Sequence, residues 1–500
     1  MRLKLLPAAL TLTLALLCAC GTAVVNPVSG ETEMSAMSEE QEIAEGAKAH
    51  QQVLKEYSVY ANKPVQDYVN ALGQRLAAQS HRTNLQWHFT VLDSPEINAF
   101  ALPGGYVYVT RGIMAYLDNE ADLGGVMGHE IGHVTARHGA QRATSQQHAG
   151  LGVFAANVLG AVLESQGVGG AGQLANQVSQ TVAAGYIASY GRDQELQADG
   201  LGAEYLARNR YDPQNMVEVI TVLKSQERYA ADQAKAEGKP APTGGGWLAS
   251  HPSNDQRLQQ IKERAAQYGK STQYVDDGHE RYLQVIAGMA YGESADQGLV
   301  RGRNFYHSAL GIALTAPVGW RIQNSAAQLT VVNAAGDAAL LLKPVPPTAG
   351  KTHAEVIKNG FKPTQGKTEA TTLNGLQATR FSGVRQDAQG KTQPLDFTLV
   401  NGPESKIYVL QQAAKDAATL QANRAGLREA EASFRLLNAQ DKAAARPWVI
   451  KLVAYPKGGF SELAKRSPLS NAEQQLRLIN GVYGGGEPKS GQLVKVVEAG

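Results

Sequence analysis

The sequence predicts a multidomain α+β protein, and its length and two changes in sequence character lead to that fold class. The chain has 500 residues, too many for one ordinary hydrophobic core, so we expect two or three domains. Residues 38–268 have mostly helical periodicity around a short strand-like stretch, whereas residues 301–437 alternate strand and turn signals. We therefore expect a mainly helical domain with a small sheet, a helical linker at 269–300, and a separate α+β domain.

A third, small unit is predicted at residues 447–498. A strand-like run is followed by two helical stretches and a second strand-like run, and Leu478-Ile479-Asn480-Gly481 ends the second helix. This order resembles a degenerate LysM-like module. Such modules bind glycan, so the resemblance implies a possible contact with peptidoglycan.

The composition is ordinary for a soluble globular protein, with 43% hydrophobic and 18% charged residues. The net charge is +2, and removal of Arg2 and Lys4 with a leader would bring it close to zero. A balance this near neutrality gives no sign of nucleic-acid binding.

The N-terminus predicts a secretory signal. Arg2 and Lys4 precede a mostly apolar run over 5–17 that is too short to span a bilayer comfortably. The run ends in Leu17-Cys18-Ala19-Cys20-Gly21, which resembles a bacterial lipobox with Cys20 as the lipidated residue. The alternative is a plain secretory signal with incidental cysteines.

The lipobox interpretation predicts where the mature protein lies. Residues 1–19 would be removed, and residues 20–37, rich in small and polar residues, would form a flexible tether. Gly21 after the cysteine resembles lipoproteins sorted to the outer membrane. We therefore expect a lipid-anchored protein on the periplasmic face of the outer membrane of a Gram-negative bacterium, with no disulfide.

The first domain is expected to begin with helices and to include a short sheet. A helix is predicted from Ser38, and a second over 63–79. Strand periodicity follows over 87–92 and 106–109, and helical signals return from 121 through 138. The Gly-, Ala- and Val-rich stretch at 149–188 is either a set of buried helices or a surface that contacts membrane or covers the active site.

The strongest chemical signal is the pentapeptide His129-Glu130-Ile131-Gly132-His133. Its histidines are four residues apart, which places them about 40° apart around an α-helix, so both imidazoles face one point. Neutral imidazole suits zinc, and the glutamate between the two can take a proton from a metal-activated water. The pattern predicts one zinc ion bound by His129 and His133, with Glu130 as general base.

A second segment, Glu195-Leu196-Gln197-Ala198-Asp199, predicts the rest of the site. Glu195 and Asp199 share one helical face, so Glu195 is predicted as the third ligand. Asp199 is predicted to hold a ligating histidine through its other ring nitrogen. Three protein ligands leave a fourth position open, as in catalytic zinc sites. The alternative for this segment is a solvated acidic helix face.

The other histidines are predicted to be surface or packing residues. His138 follows His129 by nine residues, which is about 180° around a continuing helix, so it should not reach the same metal. His50 and His88 lie in no recognisable motif.

These segments together resemble the HtpX-like and CAAX-prenyl-protease-like zinc metallopeptidases. Residues 98–105, Ser189-Tyr190-Gly191-Arg192 and Ser250-His251-Pro252 match further blocks of that family, in the family's order along residues 38–268. With no spanning helix expected after the leader, the chain is similar to the periplasmic BepA-like branch, but without tetratricopeptide helices at its C-terminus. The resemblance implies a gluzincin-like fold, a zinc cofactor and endopeptidase activity.

The resemblance also implies roles around the metal. The strand that carries Tyr106, Val107 and Tyr108 is expected to be an edge strand that pairs with extended substrate. His251 is expected near the metal as a fourth ligand that keeps the enzyme latent, as an oxyanion donor, or as a tie for its own loop. Arg257 either binds substrate or forms a structural salt bridge.

Three functions stay open from the sequence. The first is an endopeptidase that cleaves unfolded or misassembled envelope proteins. The second is an outer-membrane assembly factor or chaperone with little proteolysis, and the third is a peptidoglycan-associated protein. The expected partners are protein substrates of the envelope, the membrane through a lipid anchor, and peptidoglycan.

Overall fold

A computed structural model describes residues 22–145, 190–238, 251, 255–269, 274–325, 328–386, 390 and 392–500. The chain divides into two compact units, the first up to Met289 with Ile450–Val497 and the second Ala290–Val449 with Glu498–Gly500. The predicted multidomain architecture with helices and several sheets is confirmed. Among the described residues, no helix combines the length and apolar character needed to cross a bilayer. The predicted signal peptide, Cys20 and the stretch at 149–188 lie outside the described residues.

The N-terminal segment that was predicted as a flexible tether forms a β-hairpin. Strand β1 (Thr22–Val25) pairs antiparallel with β2 (Thr32–Ser35). The Asn26 side chain builds the turn, because its Oδ1 accepts a hydrogen bond from the amide of Val28 at 2.9 Å and its Nδ2 donates to Glu33 at 2.7 Å. Turn-forming residues suggest a tether when their long-range partners are not visible in the sequence.

Helices and a three-stranded sheet make up most of the described part of the first unit. Side-chain caps begin several of the helices: Ser38 forms a capping box with Gln41, and the Asn62 and Asn119 side chains accept from backbone amides of their first turns. In the described part of the predicted helical linker, residues 269 and 274–300, eight residues are helical. The elements are α1 (Glu39–Glu56), α2 (Lys63–Ala78), β3 (His88–Leu92), β4 (Ala99–Leu102), β5 (Tyr106–Thr110), α3 (Arg111–Tyr116), α4 (Glu120–Thr135), α5 (Arg192–Arg208), α6 (Asn215–Ala236), α7 (Asp255–Gln267) and α8 (His279–Ile286).

The small sheet has β5 in its centre. The strand order is β3-β5-β4, with β5 parallel to β3 and antiparallel to β4. Both edges of β5 therefore already carry hydrogen-bonded neighbours. The prediction that the strand with Tyr106, Val107 and Tyr108 is a free edge for substrate is therefore wrong. Strand β4 precedes β5 in sequence, and in the sheet it pairs with the side of β5 that faces away from β3.

Helix α4 is buried on all sides and packs closely on α5. Every residue of α4 is buried, which fits a helix at the centre of a unit rather than one with a solvent face. A Cβ on Gly128 would lie 3.2 Å from the Cα of Gly202, and a Cβ on Gly132 would lie 3.2 Å from the carbonyl oxygen of Ala198. The two glycines of α4 thus let the helix backbones approach, and this approach sets side chains of α4 against those of α5.

The C-terminal segment keeps the predicted order of strand, helix, helix and strand, but it belongs to the first unit. Lys495 is fully buried, and its Nζ donates to the carbonyl oxygen of Leu117 at 2.6 Å, in the turn before α4. The Tyr483 hydroxyl donates to Asp232 on α6 at 2.7 Å. The sequence predicted a separate module because such long-range contacts leave no local signal. The elements are β18 (Trp448–Ala454), α13 (Gly459–Ala464), α14 (Ala472–Ile479) and β19 (Leu493–Ala499).

The second unit is built on a seven-stranded antiparallel sheet of order β10-β11-β12-β16-β15-β14-β13. A four-stranded sheet, β17-β9-β8-β7, and helix α11 share one apolar core with it, in which Leu314, Leu340, Tyr408 and Phe434 are buried. The strand character predicted for this region is present, and two short helices, α10 and α11, lie near its end. The elements are β7 (Leu299–Arg301), β8 (Asn304–His307), β9 (Ile312–Thr315), β10 (Arg321–Asn324), β11 (Leu329–Val332), β12 (Ala338–Pro344), α9 (His353–Val356), β13 (Gln365–Leu373), β14 (Leu376–Gln386), β15 (Thr392–Asn401), β16 (Ile407–Ala414), α10 (Ala417–Ala422), α11 (Arg424–Ala432), β17 (Arg435–Leu436) and α12 (Ala439–Ala444).

The second unit begins and ends on paired strands. Strand β6 (Ala290–Tyr291) is antiparallel to β18, with Ala290 opposite Val449 and Tyr291 opposite Trp448. The chain therefore enters and leaves this unit at neighbouring positions. In sequence, the second unit is an insertion within the first.

Candidate metal centre

Four side chains from three segments of the first unit converge on one point. The Nε2 atoms of His129 and His133 on α4 are 3.0 Å apart. The Glu195 carboxylate of α5 lies 3.7 Å from His129 Nε2 and 3.5 Å from His133 Nε2. His251 completes the group, with its Nδ1 2.9 Å from Glu195 Oε1 and 3.2 Å from His129 Nε2. All four side chains are buried, and no other such group occurs among the described residues.

The spacing and chemistry of these donors fit zinc. A tetrahedral zinc ion with bonds near 2.0–2.1 Å needs donor atoms about 3.3 Å apart, close to the separations within this group. Burial, together with the neighbouring His129 and His138, holds the pKa of His133 well below its usual range, so the ring is neutral as a metal ligand must be. Three imidazoles and one carboxylate are also donors that zinc accepts readily. The sequence predicted three ligands, and the structure places His251 beside them as a fourth donor.

Asp199 lies against His129. Its Oδ1 lies 2.9 Å from His129 Nδ1, so the imidazole donates outward and keeps its Nε2 lone pair directed at the cluster. Burial alone would raise the pKa of Asp199, but the adjacent Arg257 guanidinium and His129 hold that pKa far below its usual range. The carboxylate is therefore ionised and able to accept.

Arg257 lies behind the ligands, in the position of a structural ion pair. Its Nε and Nη2 donate to the two Asp199 oxygens at 2.6 and 2.7 Å, and its Nη1 donates to the carbonyl oxygen of His251 at 2.9 Å. The same Nη1 lies 3.0 Å from Glu195 Oε2. Arg257 is 2% exposed, so the geometry supports the salt-bridge alternative and not the substrate-binding one.

His138 is buried and lies outside the group of metal donors, as predicted for a packing residue, but it contacts His133. The prediction assumed that α4 continues, but α4 ends at Thr135 and Arg137 takes a left-handed φ of 60°. This turn brings His138 Nδ1 to 2.9 Å from His133 Nδ1. If the sequence had shown that the helix ends between His133 and His138, we would not have inferred an angle of about 180° between His129 and His138.

Contacts of two further residues with the histidines of the site were not predicted from the sequence. Gln197 Oε1 lies 2.9 Å from the outer nitrogen of His138. The Tyr190 ring stacks on the His133 ring with centroids 3.9 Å apart and planes 18° apart. Both residues stood within motifs that the sequence singled out, but only the folded chain shows which ring they face.

Glu130 lies beside His251 at the edge of the donor group. Its Oε1 is 3.5 Å from His251 Nε2, and its side chain is fully buried. Burial opposes protonation of His251, but the carboxylates of Glu195 and Glu130 prevail and raise its pKa. Pro252, which follows His251 in the sequence, lies outside the described residues.

The chain is similar to known metallopeptidases over the region that contains this site. Residues 64–265 match peptidase family M48. The β-barrel assembly-enhancing protease of Yersinia pestis is 32% identical over 241 residues, which cover 48% of this chain and 47% of that protein. The protein of the same name from Escherichia coli K12 is 32% identical over 200 residues, covering 40% and 39%. The mitochondrial metalloendopeptidase OMA1 of Schizosaccharomyces pombe is 27% identical over 240 residues, covering 47% and 65%.

The chain spans about half the length of the first of these curated relatives. A solved structure of LpqN from Mycobacterium tuberculosis aligns with 25% of this chain at 21% identity, but the TM-score of 0.19 is too low to assign a fold. The relatives confirm the predicted BepA-like resemblance, and the family match confirms the predicted zinc peptidase domain. Residues 64–265 are therefore similar to peptidase family M48, and they contain a group of donors suited to zinc.

Proposed function

We propose that this protein is a zinc metalloendopeptidase that cleaves unfolded or misassembled proteins of the cell envelope. One observation carries the proposal: His129, His133 and Glu195 present converging donor atoms, and Glu130 lies beside them on the same helix. In this proposal the three residues bind one zinc ion. Asp199 and Arg257 then act as supports that hold His129 and Glu195 in place.

The chemistry follows from the positions of these groups. When bound, zinc supplies a Lewis acid that polarises the scissile carbonyl and makes water a better nucleophile. Glu130 takes the proton of the attacking water and delivers it to the leaving amine. Burial of Glu130 and its neighbours keeps bulk water away from this transfer, so the charges act in a medium of low polarity.

Substrate recognition is assigned to β4 in place of β5. In the described part of the chain, β4 has β5 as its strand neighbour on one side and forms an edge of the small sheet, in a gluzincin-like arrangement beside α4. Backbone pairing with an edge strand selects an extended conformation and is tolerant of sequence. A site of this type suits unfolded chains better than folded ones.

His251 is proposed as a latch. Its Nδ1 lies within the donor group, so it is placed to occupy the position that an attacking water needs. His251→Ala should then raise peptidase activity while zinc stays bound. A fall in activity with zinc retained would favour the oxyanion-donor role, and no change would leave His251 as a tie for its loop.

Location and substrate class rest on the sequence and the relatives. The lipobox at Cys20 supports an anchor in the outer membrane, and the relatives are named as β-barrel assembly-enhancing proteases. That name equally favours a second candidate, an assembly factor with little proteolysis. The strand-helix-helix-strand order of residues 448–499 keeps a LysM-like, peptidoglycan-associated role as a third.

The deciding experiment is Glu130→Gln in the purified protein. The substitution keeps the side chain's shape but removes the base, so zinc should stay bound by elemental analysis. Casein hydrolysis should fall by about 10²–10⁴-fold. Glu204→Gln, the same change on the outer part of α5, is the control and should keep full activity. Equal turnover by the Glu130→Gln protein would contradict the mechanism.

An envelope comparison separates the first two candidates. Cells with active enzyme should contain cleavage products of envelope proteins that cells with the Glu130→Gln protein lack. If the two envelopes carry the same fragments but differ from those of cells without the protein, the assembly role is favoured.

A further inference from the structure

A second imidazole lies directly behind the ligand His133. His138 is completely buried, and its Nδ1 is 2.9 Å from the Nδ1 of His133. Its other nitrogen, Nε2, is 2.9 Å from Oε1 of Gln197 on α5. The three side chains thus form a hydrogen-bonded row from α5, through the turn after α4, to the metal-site ring.

The chemistry of the row fixes which atom carries each hydrogen. The Gln197 carbonyl oxygen can only accept, so His138 Nε2 carries the hydrogen and donates it. The Nδ1 of a neutral His138 then has a lone pair, and it accepts from the Nδ1–H of His133. His133 is left with its lone pair on Nε2, the atom that faces His129 at 3.0 Å.

The opposite orientation of the amide would defeat metal binding. If the Gln197 nitrogen faced His138, every hydrogen in the row would move by one position, and Nε2 of His133 would carry a hydrogen. A protonated nitrogen has no lone pair for a metal. Ligation by His133 therefore depends on the Gln197 oxygen facing His138.

We propose that His138 and Gln197 form a positioning pair that fixes the tautomer and the orientation of His133 as a zinc ligand. The proposal deepens the proposed function and rests on zinc binding at this site. His129 is positioned in the same way by a different group, because its outer partner is the ionised carboxylate of Asp199. Tyr190 adds a third constraint on His133 by covering one face of its ring.

The test measures zinc affinity by chelator competition in the full-length protein. His138→Leu fills the space but cannot accept, so zinc should bind about 10–100-fold more weakly. His138→Asp restores a carboxylate acceptor and should bind zinc within a few-fold of wild type. Gln197→Met should weaken binding by a smaller factor, because His138 still has one tautomer that accepts from His133.

The visible spectrum of the cobalt-substituted protein is a second measurement, and it should not change if His138 has only a packing role. The visible bands of the cobalt protein should shift in His138→Leu and return towards wild type in His138→Asp. The melting temperature of the zinc-free proteins checks folding, and Gln197→Met, at a partly exposed position, carries the test if His138→Leu does not fold.

The outcomes separate the inference from the function on which it rests. Wild-type zinc affinity and spectrum in His138→Leu would overturn the positioning pair, as would equal weakening in His138→Leu and His138→Asp. A wild-type protein that binds no stoichiometric zinc would instead overturn the proposed function.

Discussion

Arg257→Met tests the charge arrangement behind the metal ligands. The guanidinium forms two hydrogen bonds to Asp199, at 2.6 and 2.7 Å, and an ion pair with Glu195 at 3.0 Å, all in a buried setting. Methionine keeps an unbranched apolar stem but removes the cation. Two buried carboxylates would then lose the charge that compensates them.

The expected cost is large, because breaking a buried ion pair from one side typically costs about 3–5 kcal/mol. Zinc brings positive charge to Glu195, so the loss should be smaller in the zinc-loaded protein than in the metal-free one. In an Asp199→Asn background the same change should cost about 1–3 kcal/mol less, because one of the two carboxylates that Arg257 compensates is already neutral.

Hydrogen exchange of α4 amides, followed by mass spectrometry, reports unfolding of the first unit without interference from the second. The control is Arg228→Met, because the Arg228 side chain is 65% exposed and its Nε lies 3.9 Å from Asp232. That change should alter stability by no more than about 0.5 kcal/mol. A loss below about 1 kcal/mol for metal-free Arg257→Met, or strict additivity with Asp199→Asn, would refute the reasoning.

Three further predictions concern other parts of the chain. Cys20→Ser should move the protein from the membrane fraction to the soluble fraction, and continued palmitate labelling of the variant would contradict the lipobox. Lys495→Met leaves the Leu117 carbonyl oxygen without its buried donor and should destabilise the first unit by about 1–3 kcal/mol, measured by α4 hydrogen exchange. A hydrogen bond to Asp118 raises the pKa of His279, so its stabilisation is complete below about pH 6.5 and is lost as the pH rises through the raised pKa. The stability gap between wild type and His279→Gln should therefore shrink, by less than about 1 kcal/mol, from pH 5.5 to 9; a gap that grows would contradict this.

The metal site could be predicted from the sequence because the spacing of its residues along each helix is a local pattern. His129 and His133 are one helical turn apart, and Glu195 and Asp199 repeat that spacing on the partner helix, so each pair could be recognised without knowledge of the fold. His251 required the family resemblance. In the structure these five residues lie together.

What the sequence missed depends on where elements end and what they meet. The contact of His138 with His133 was not predicted, because α4 stops at Thr135. Arg257 could be assigned only once its contacts with Asp199 were visible. The central position of β5 likewise follows from pairing with a strand, β3, that precedes it by a long connection. Local periodicity predicts that a strand forms but not which neighbours it takes.

The paired ends of the second unit have a thermodynamic consequence for the first. Folded, the stretch from Ala290 to Val449 holds its two ends together across antiparallel neighbours. Unfolded, it would become a flexible loop of about 160 residues, whose closure costs about 4 kcal/mol of chain entropy more than a short turn does. This loss of chain entropy would lower the free energy of unfolding of the first unit. The two units are therefore coupled through the connectivity of the chain alone, and mutations that unfold the insertion should lower the stability of the peptidase site even when they touch none of its residues.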